Sequence, residues 1–121
     1  MAQINPGYRK IGFSLTAAIF LLSIVVFLYP GNGESKPNLF GPDKLAHIAA
    51  YFLMLLPALS VAPRIWVWLV PAAICYGILI EFIQPFFGRG FDVADMVANA
   101  IGAFAAIPVA RSINKRLSQT R

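Results

Sequence analysis

Four apolar segments, each long enough to cross a lipid bilayer, constrain the fold of this chain more than any other feature of its sequence. They cover residues 11–29, 44–61, 65–84 and 93–110. A helix needs about 20 residues to span the ~30 Å hydrocarbon core of a membrane. Inside lipid, every backbone N–H and C=O group must find its partner within the protein. The sequence therefore predicts an all-α fold, a bundle of four transmembrane helices in the lipid bilayer.

The composition also favours a membrane protein. Of the 121 residues, 59% are hydrophobic and only 12% are charged, which is too little charge to cover the surface of a small soluble domain. The net charge of +5 is concentrated at the two termini beside apolar segments. That placement is typical of membrane orientation and does not predict nucleic acid as a partner. The length predicts a single domain over residues 1–121.

The distribution of basic residues predicts the orientation of the bundle. With four crossings, both termini lie on the same side of the membrane as the short turn at Pro63-Arg64. That side carries Arg9, Lys10, Arg64, Arg111, Lys115, Arg116 and Arg121, against Lys36, Lys44 and Arg89 on the other. Since Lys and Arg stay preferentially on the cytoplasmic side, we expect both termini to be cytoplasmic.

The connections between the segments are short. Residues 30–42, rich in Gly and Pro, are predicted to form a loop. The Pro63-Arg64 turn is predicted to join the second and third segments as an antiparallel hairpin. Arg9 and Lys10 before the first segment are compatible with a signal peptide, but no convincing cleavage site follows. We therefore expect the first helix to be retained.

Polar residues gather where three of these segments meet the outer side in this topology. Each segment carries a stripe on one helical face: Asp43, His47 and Tyr51; Glu81 and Gln84; and Asp92, Asp95 and Asn99. Ionisable groups in membrane segments are costly and mark functional sites by default. The stripes are therefore expected to converge in an outward-facing polar pocket.

Part of this acidity has a plain structural explanation. Asp43 and Asp92 stand where helices begin and suit an N-cap, and Asp95 suits the first turn of a helix. Glu81 lies near a helix C-terminus, which is the unfavourable end for an anion. It needs a cation, a proton or a ligand, and it is the first candidate for function.

Two further residues have competing interpretations. His47 is either a packed, hydrogen-bonded histidine or an acid or base of the site. Arg89, between two glycines, is expected to pair with Glu81 or Asp92 or to bind a phosphate or carboxylate, for which Lys44 is also available.

The remaining polar and aromatic residues have structural alternatives. Gln84 and Asn99 serve equally well as hydrogen-bonding contacts between helices. Tyr51 and the phenylalanines at 86, 87 and 91 fit an interfacial aromatic belt better than a stacking platform, with Trp66 and Trp68 forming the belt at the inner face.

Small residues recur every four positions along the fourth segment, at Ala94, Ala98, Gly102, Ala106 and Ala110. This spacing allows close approach between membrane helices. The polar stripe is displaced from it by one residue, so Asp95 and Asn99 are expected to point into the bundle.

Taken together, the motifs resemble the VanZ-like family of small bacterial membrane proteins. The matching features are Asp43-Lys44-x-x-His47-x-x-x-Tyr51-Phe52, then Glu81-Phe82-x-Gln84 with Phe87 and Gly88-Arg89, then Phe91-Asp92-x-x-Asp95-x-x-x-Asn99-x-x-Gly102. They extend over about residues 41–106. The resemblance implies a protein of the bacterial inner membrane with an outward-facing site. The family takes its name from a protein of teicoplanin resistance, and the resemblance supplies no reaction.

Two functions follow from these residues. The first is binding or processing of an envelope amphiphile, such as a lipid-linked cell-envelope precursor, with an influence on glycopeptide susceptibility. In a catalytic version, Glu81 and His47 would be the acid and base, and the other polar residues would bind the ligand: Asp43, Lys44, Tyr51, Gln84, Arg89, Asp92, Asp95 and Asn99. The second is a structural or accessory membrane protein whose polar residues hold the helices together.

Other functions are less well supported. A proton-coupled transporter ranks last, because the cytoplasmic half offers no polar relay. His47 and the carboxylates include suitable metal ligands, but there is no dense motif such as His-x-x-x-His, so no metal site is predicted. The sequence indicates neither a cofactor nor an oligomeric state.

Overall fold

The computed structural model describes residues 3–31 and 41–120. Within these ranges lie α1 (Pro6–Phe27), α2 (Pro42–Val61), α3 (Trp66–Ile83) and α4 (Val93–Gln119), with 3-10 turns at Pro63–Ile65 and Gln84–Phe87. The described residues contain no strand, and all four helical spans are long and apolar enough to cross a membrane. The predicted all-α, four-helix fold is confirmed. Most of the predicted 30–42 loop, including Lys36, lies outside the described residues, as does Arg121.

Two helices extend further than hydropathy predicts. The first begins at Pro6, where the Asn5 side chain accepts a hydrogen bond of 2.7 Å from the Gly7 N–H and proline occupies the first helical position. The fourth continues through the basic tail to Gln119. Apolarity decides where a helix leaves the lipid, but not where its backbone hydrogen bonding ends. Charged side chains are good helix formers outside the membrane.

The centre of the bundle is the contact between α2 and α4. Gly102 lies directly against the backbone carbonyl of Ile48, and a Cβ at this position would collide with it. Ala98, Ala106 and Ala110 are buried on the same side of α4. The small residues therefore allow the close approach that the sequence predicts.

The other two helices pack around this pair. α1 lies against α2, and α3 against α4, whereas α2 and α3 contact each other little. The predicted hairpin at Pro63-Arg64 thus joins two consecutive helices that are held mainly by their other neighbours. On α1, Gly12 lies close to the Pro57 carbonyl and the Val61 side chain.

Hydrogen bonds between helices satisfy groups that the bundle buries. Pro57 interrupts α2, and the Ala58 N–H donates to the Thr16 hydroxyl of α1 at 3.0 Å. A neighbouring threonine is a common way to accommodate a proline in a membrane helix. The hydroxyls of Ser23 and Tyr76 lie 2.8 Å apart and connect α1 to α3.

The bundle has two chemically different ends. The polar end contains the start of α2, the end of α3 and the start of α4. Lys44 of α2 contacts Asp92 and Asp95, and Glu81 of α3 accepts the Asp92 N–H. The basic end contains the start of α1, the Pro63–Ile65 turn and the last turns of α4, where the Asn114 side chain donates to the Ser60 carbonyl at 2.7 Å. All three predicted polar stripes belong to the polar end.

Aromatic residues are exposed at both ends. Phe86 at the polar end is 87% exposed, and Trp68 near the basic end is 79% exposed. Trp66 is partly buried against the core. Tyr51 has no exposed surface, so its assignment to an aromatic belt is wrong: like His47, it faces the interior of the bundle.

Replacing Gly102 by alanine is expected to push α2 and α4 apart at Ile48 and to destabilise the bundle by about 1–3 kcal/mol, as overpacking of a close contact does. The measurement is thermal unfolding of the purified protein in detergent. Ala105→Leu is the control, since it adds more volume on an exposed position of the same helix. Equal melting temperatures for the two variants would contradict close packing at Gly102.

Candidate functional site

A buried ion pair organises the polar end. The Lys44 ammonium nitrogen lies 2.5 Å from Asp92 Oδ2, 2.5 Å from Asp95 Oδ1 and 3.4 Å from Asp43 Oδ2, and the lysine side chain is only 6% exposed. Lys44 belongs to the first turn of α2, and both Asp92 and Asp95 belong to the start of α4. The pair therefore connects the two central helices at the point where both begin.

The aspartates differ in their structural roles. Asp92 is the N-cap of α4 and accepts from the Ala94 N–H at 2.8 Å, as predicted. The hydrogen bond from Lys44 lowers the pKa of Asp92 below its usual value. The predicted N-cap at Asp43 is wrong, because Gly41 occupies that position and no side chain caps α2. Asp43 lies at the rim, with its side chain 57% exposed.

His47 of α2 is buried between α1 and α4. Its Nδ1 lies 2.8 Å from Asn99 Oδ1, and its Nε2 lies 3.5 Å from Asp95 Oδ2. The ring of Phe27 from α1 stacks on the imidazole, with a centroid distance of 4.6 Å. With the Asn99 amide in this orientation, Nδ1 carries the proton, and Nε2 is directed at the Asp95 carboxylate.

Glu81 is completely buried at the end of α3. One oxygen, Oε2, accepts the backbone N–H of Asp92 at 3.0 Å. The other, Oε1, has no hydrogen-bond partner, and within residues 3–31 and 41–120 no basic side chain pairs with this carboxylate. From the sequence, Glu81 is expected to need a cation, a proton or a ligand. Among the described residues, no basic side chain is this cation.

Near this carboxylate, two more buried polar atoms have no hydrogen-bond partner within the described part of the chain. They are the Tyr51 hydroxyl and the Asn99 side-chain nitrogen. Both lie close to Gly77 of α3, where a Cβ would come within 2.9 Å of the hydroxyl and 2.8 Å of the nitrogen. Nothing in the sequence pattern singles out Gly77 or Phe27, because neither carries a polar side chain.

Gln84 and Arg89 lie beside the cluster rather than in it. The Gln84 side chain donates to the Phe27 carbonyl at 3.0 Å and so joins α3 to the end of α1, which fits its structural interpretation. The Arg89 backbone N–H donates to the Gln84 carbonyl. Arg89 is half-buried, and its guanidinium pairs with no carboxylate of the described residues. Asp92, one of the partners predicted for Arg89, pairs with Lys44 instead.

An apolar groove lies deeper in the bundle, on the basic-end side of the cluster. It has a volume of about 240 Å³ and is lined by side chains of α1, α2 and α3, including Phe13, Phe20, Leu69 and Tyr76. The ring of Tyr76 stacks on Tyr51 with a centroid distance of 6.1 Å. Tyr76 therefore connects the groove to Tyr51, whose hydroxyl is buried without a described hydrogen-bond partner.

Side chains from three helices also form a set that can hold a metal ion. One ligand atom each from His47, Glu81 and Asp95 lies within 4.8 Å of the other two, and all three residues are buried. The sequence predicted no metal site because the ligands are far apart along the chain. Only the packing of α2, α3 and α4 brings them together.

Comparison with known proteins identifies the family. A sequence model of the VanZ/LLP1 family matches residues 11–114. The match includes α1 as well as the region from 41 to 106 that carries the motifs. No curated protein and no solved structure matches the chain.

Replacing Lys44 by methionine is expected to destabilise the protein by about 3–5 kcal/mol, because it leaves two carboxylates of α4 without their counter-charge in a buried site. Chemical unfolding in detergent measures the change. Lys115→Met, at an exposed position near the basic end, is the matched control. An equally small effect of both substitutions would show that the Lys44 ion pair does not hold α2 to α4.

Proposed function

Because the chain belongs to the VanZ/LLP1 family and buries unpaired polar atoms at one end of a membrane bundle, we propose that it binds or processes an amphiphile of the bacterial cell envelope. A lipid-linked cell-envelope precursor is the class of ligand that combines an anionic head group with a long apolar chain. Binding such a precursor would connect this protein to glycopeptide susceptibility. The proposal combines family membership with the chemistry of the polar end.

The observation that carries the proposal is the set of unpaired atoms around Glu81. A buried polar network that serves structure alone normally satisfies its members. Here Glu81 Oε1, the Tyr51 hydroxyl and the Asn99 nitrogen are all buried without a partner among the described residues. An acceptor, a hydroxyl and a donor are therefore available to the polar group of a ligand.

The surroundings of the cluster suit the two parts of an amphiphile. Arg89 is half-buried and follows the turn at the end of α3, and its guanidinium pairs with no described carboxylate. It is the group we assign to an anionic head group, since guanidinium binds phosphate and carboxylate in bidentate geometry. The groove lined by Phe13, Phe20 and Leu69 suits an acyl or isoprenoid chain.

The remaining polar residues have different roles in this proposal. Glu81 and His47 contact the head group and supply the acid and base if a reaction follows. Tyr51 and Asn99 complete the polar contacts. Lys44 is bound by two carboxylates and positions the start of α4. Asp43 is exposed at the rim, and no contact with the head group is assigned to it.

The structural alternative also has support. The contacts of Lys44 with α4 and of Gln84 with the end of α1 join helices and need no ligand. If the whole cluster has this role, substitutions of Glu81 will lower stability and abundance without removing a bound molecule.

Native mass spectrometry of the detergent-purified protein tests the two functions. The wild type is expected to retain an anionic envelope lipid, and Arg89→Gln is expected to lower its occupancy roughly tenfold or more, because a charge-assisted hydrogen bond contributes at least about 1.5 kcal/mol. Glu81→Gln is expected to lower occupancy as well. Arg111→Gln, exposed on α4 near the basic end, is the control for non-specific lipid adsorption.

Equal lipid occupancy in the wild type, Arg89→Gln and Glu81→Gln would exclude a head-group site at the polar end. A bare wild type together with a less stable Glu81→Gln would support the structural alternative.

We further propose that both termini are cytoplasmic and that the polar end faces outward, supported by the seven basic residues on the terminal side against three on the other. In a Cys75→Ser background, Phe86→Cys is expected to react with a membrane-impermeant maleimide in intact spheroplasts. Gln119→Cys is expected to react only after permeabilisation. The reverse labelling pattern would contradict this orientation.

A further inference from the structure

We propose that His47, Glu81 and Asp95 bind one divalent transition-metal ion at the polar end of the bundle. Their ligand atoms lie within 4.8 Å of one another and come from α2, α3 and α4. An imidazole nitrogen with two carboxylate oxygens is a ligand set suited to Zn²⁺, Mn²⁺ or Fe²⁺. The site shares His47 and Glu81 with the proposed head-group site, but it does not include Arg89 or the apolar groove, and ion binding does not require the amphiphile.

The free oxygen of Glu81 is the first reason to place an ion here. The side chain has no exposed surface, and Oε1 has no hydrogen-bond partner. A buried carboxylate oxygen that is neither hydrogen-bonded nor paired is strongly unfavourable. Because Oε2 is held by the Asp92 N–H at 3.0 Å, the carboxylate is already oriented, and Oε1 is available to coordinate.

The orientation of His47 is the second reason. Its Nδ1 donates to Asn99 Oδ1 at 2.8 Å, which leaves Nε2 directed at Asp95 Oδ2, 3.5 Å away. Nε2 and the Asp95 oxygen therefore lie where both could coordinate one ion. Metal-binding histidines typically donate their second ring N–H to a fixed oxygen in this way. Asn99 is thus a positioning residue for the ligand.

The charge of the cluster points in the same direction. Glu81, Asp92 and Asp95 contribute three carboxylates, and Lys44 contributes one ammonium. The described side chains of this largely buried set thus include more carboxylates than basic groups, and a divalent cation would complement them.

Coordination requires only a small movement. Ligands about 2.1 Å from a tetrahedral zinc ion lie roughly 3.4 Å from each other, so side-chain shifts of roughly 1 Å would close the set around an ion. Three protein ligands leave at least one coordination position for water. If the proposed amphiphile binds, an oxygen of its head group would take that position, and this step alone rests on the proposed function.

Metal titration of the lipid-free protein tests the site. The protein is purified in detergent through a tag without histidines, stripped with EDTA and titrated calorimetrically with ZnCl₂ and with MnCl₂. We expect one ion per chain in the wild type. Glu81→Gln and His47→Ala are each expected to weaken binding about a hundredfold or more. Asn99→Ala is expected to weaken it about 10–100-fold, as loss of a group that orients a ligand does.

Asp43→Asn is the matched control, because it removes a carboxylate that is exposed at the same end of the bundle and is not among the three ligands. It is expected to bind the ion like the wild type. Circular dichroism and size-exclusion chromatography of each apo variant establish that it is folded. Substitution with Co²⁺ adds a second measurement, since its visible absorption reports nitrogen and oxygen ligands directly.

Absence of saturable binding of either ion to the wild type would overturn the metal site, whatever the variants do. Binding that survives in folded Glu81→Gln and His47→Ala would also overturn it and would place the ion elsewhere. The metal titration uses lipid-free protein, and the lipid experiment includes Arg89→Gln, which changes no metal ligand, so failure of one proposal can be distinguished from failure of the other.

Discussion

The polar end depends on one buried interaction, the ammonium of Lys44 held between Asp92 and Asp95. In a low-dielectric environment, two adjacent carboxylates at the start of α4 need a counter-charge, and Lys44 supplies it from the first turn of α2. This contact fixes the rotation of both helices about their axes. His47 and Asn99, one turn further into the bundle, are thereby brought to hydrogen-bond distance. The same arrangement places the Asp92 N–H against Glu81.

Much of this architecture is encoded locally and was therefore predictable from the sequence. The helix count follows from segment length and hydropathy. The stripe containing Asp95 and Asn99 is buried, as its position next to the small-residue stripe predicts. That the polar residues share one end of the bundle follows from the alternating direction of successive helices. None of these predictions required knowledge of how one helix is rotated against another.

The remaining features depend on the relative rotation and depth of helices, which periodicity does not specify. Lys44 is adjacent to the predicted stripe rather than in it, so the choice between Lys44 and Arg89 as the partner of Asp92 was not determined by spacing. Tyr51 suits either a membrane interface or a core, because it is both aromatic and polar. His47, Glu81 and Asp95 come together through the packing of three helices. No short sequence motif contains all three residues.

The weak contact between α2 and α3 has a consequence for how this end of the protein responds to its surroundings. His47 and Glu81 are carried by these two helices, which are held together mainly through α4. Membrane helices adjust their tilt when the thickness of the bilayer changes. A change in bilayer thickness is therefore expected to alter the distance between the imidazole and the carboxylate more than the distances across the α2–α4 contact.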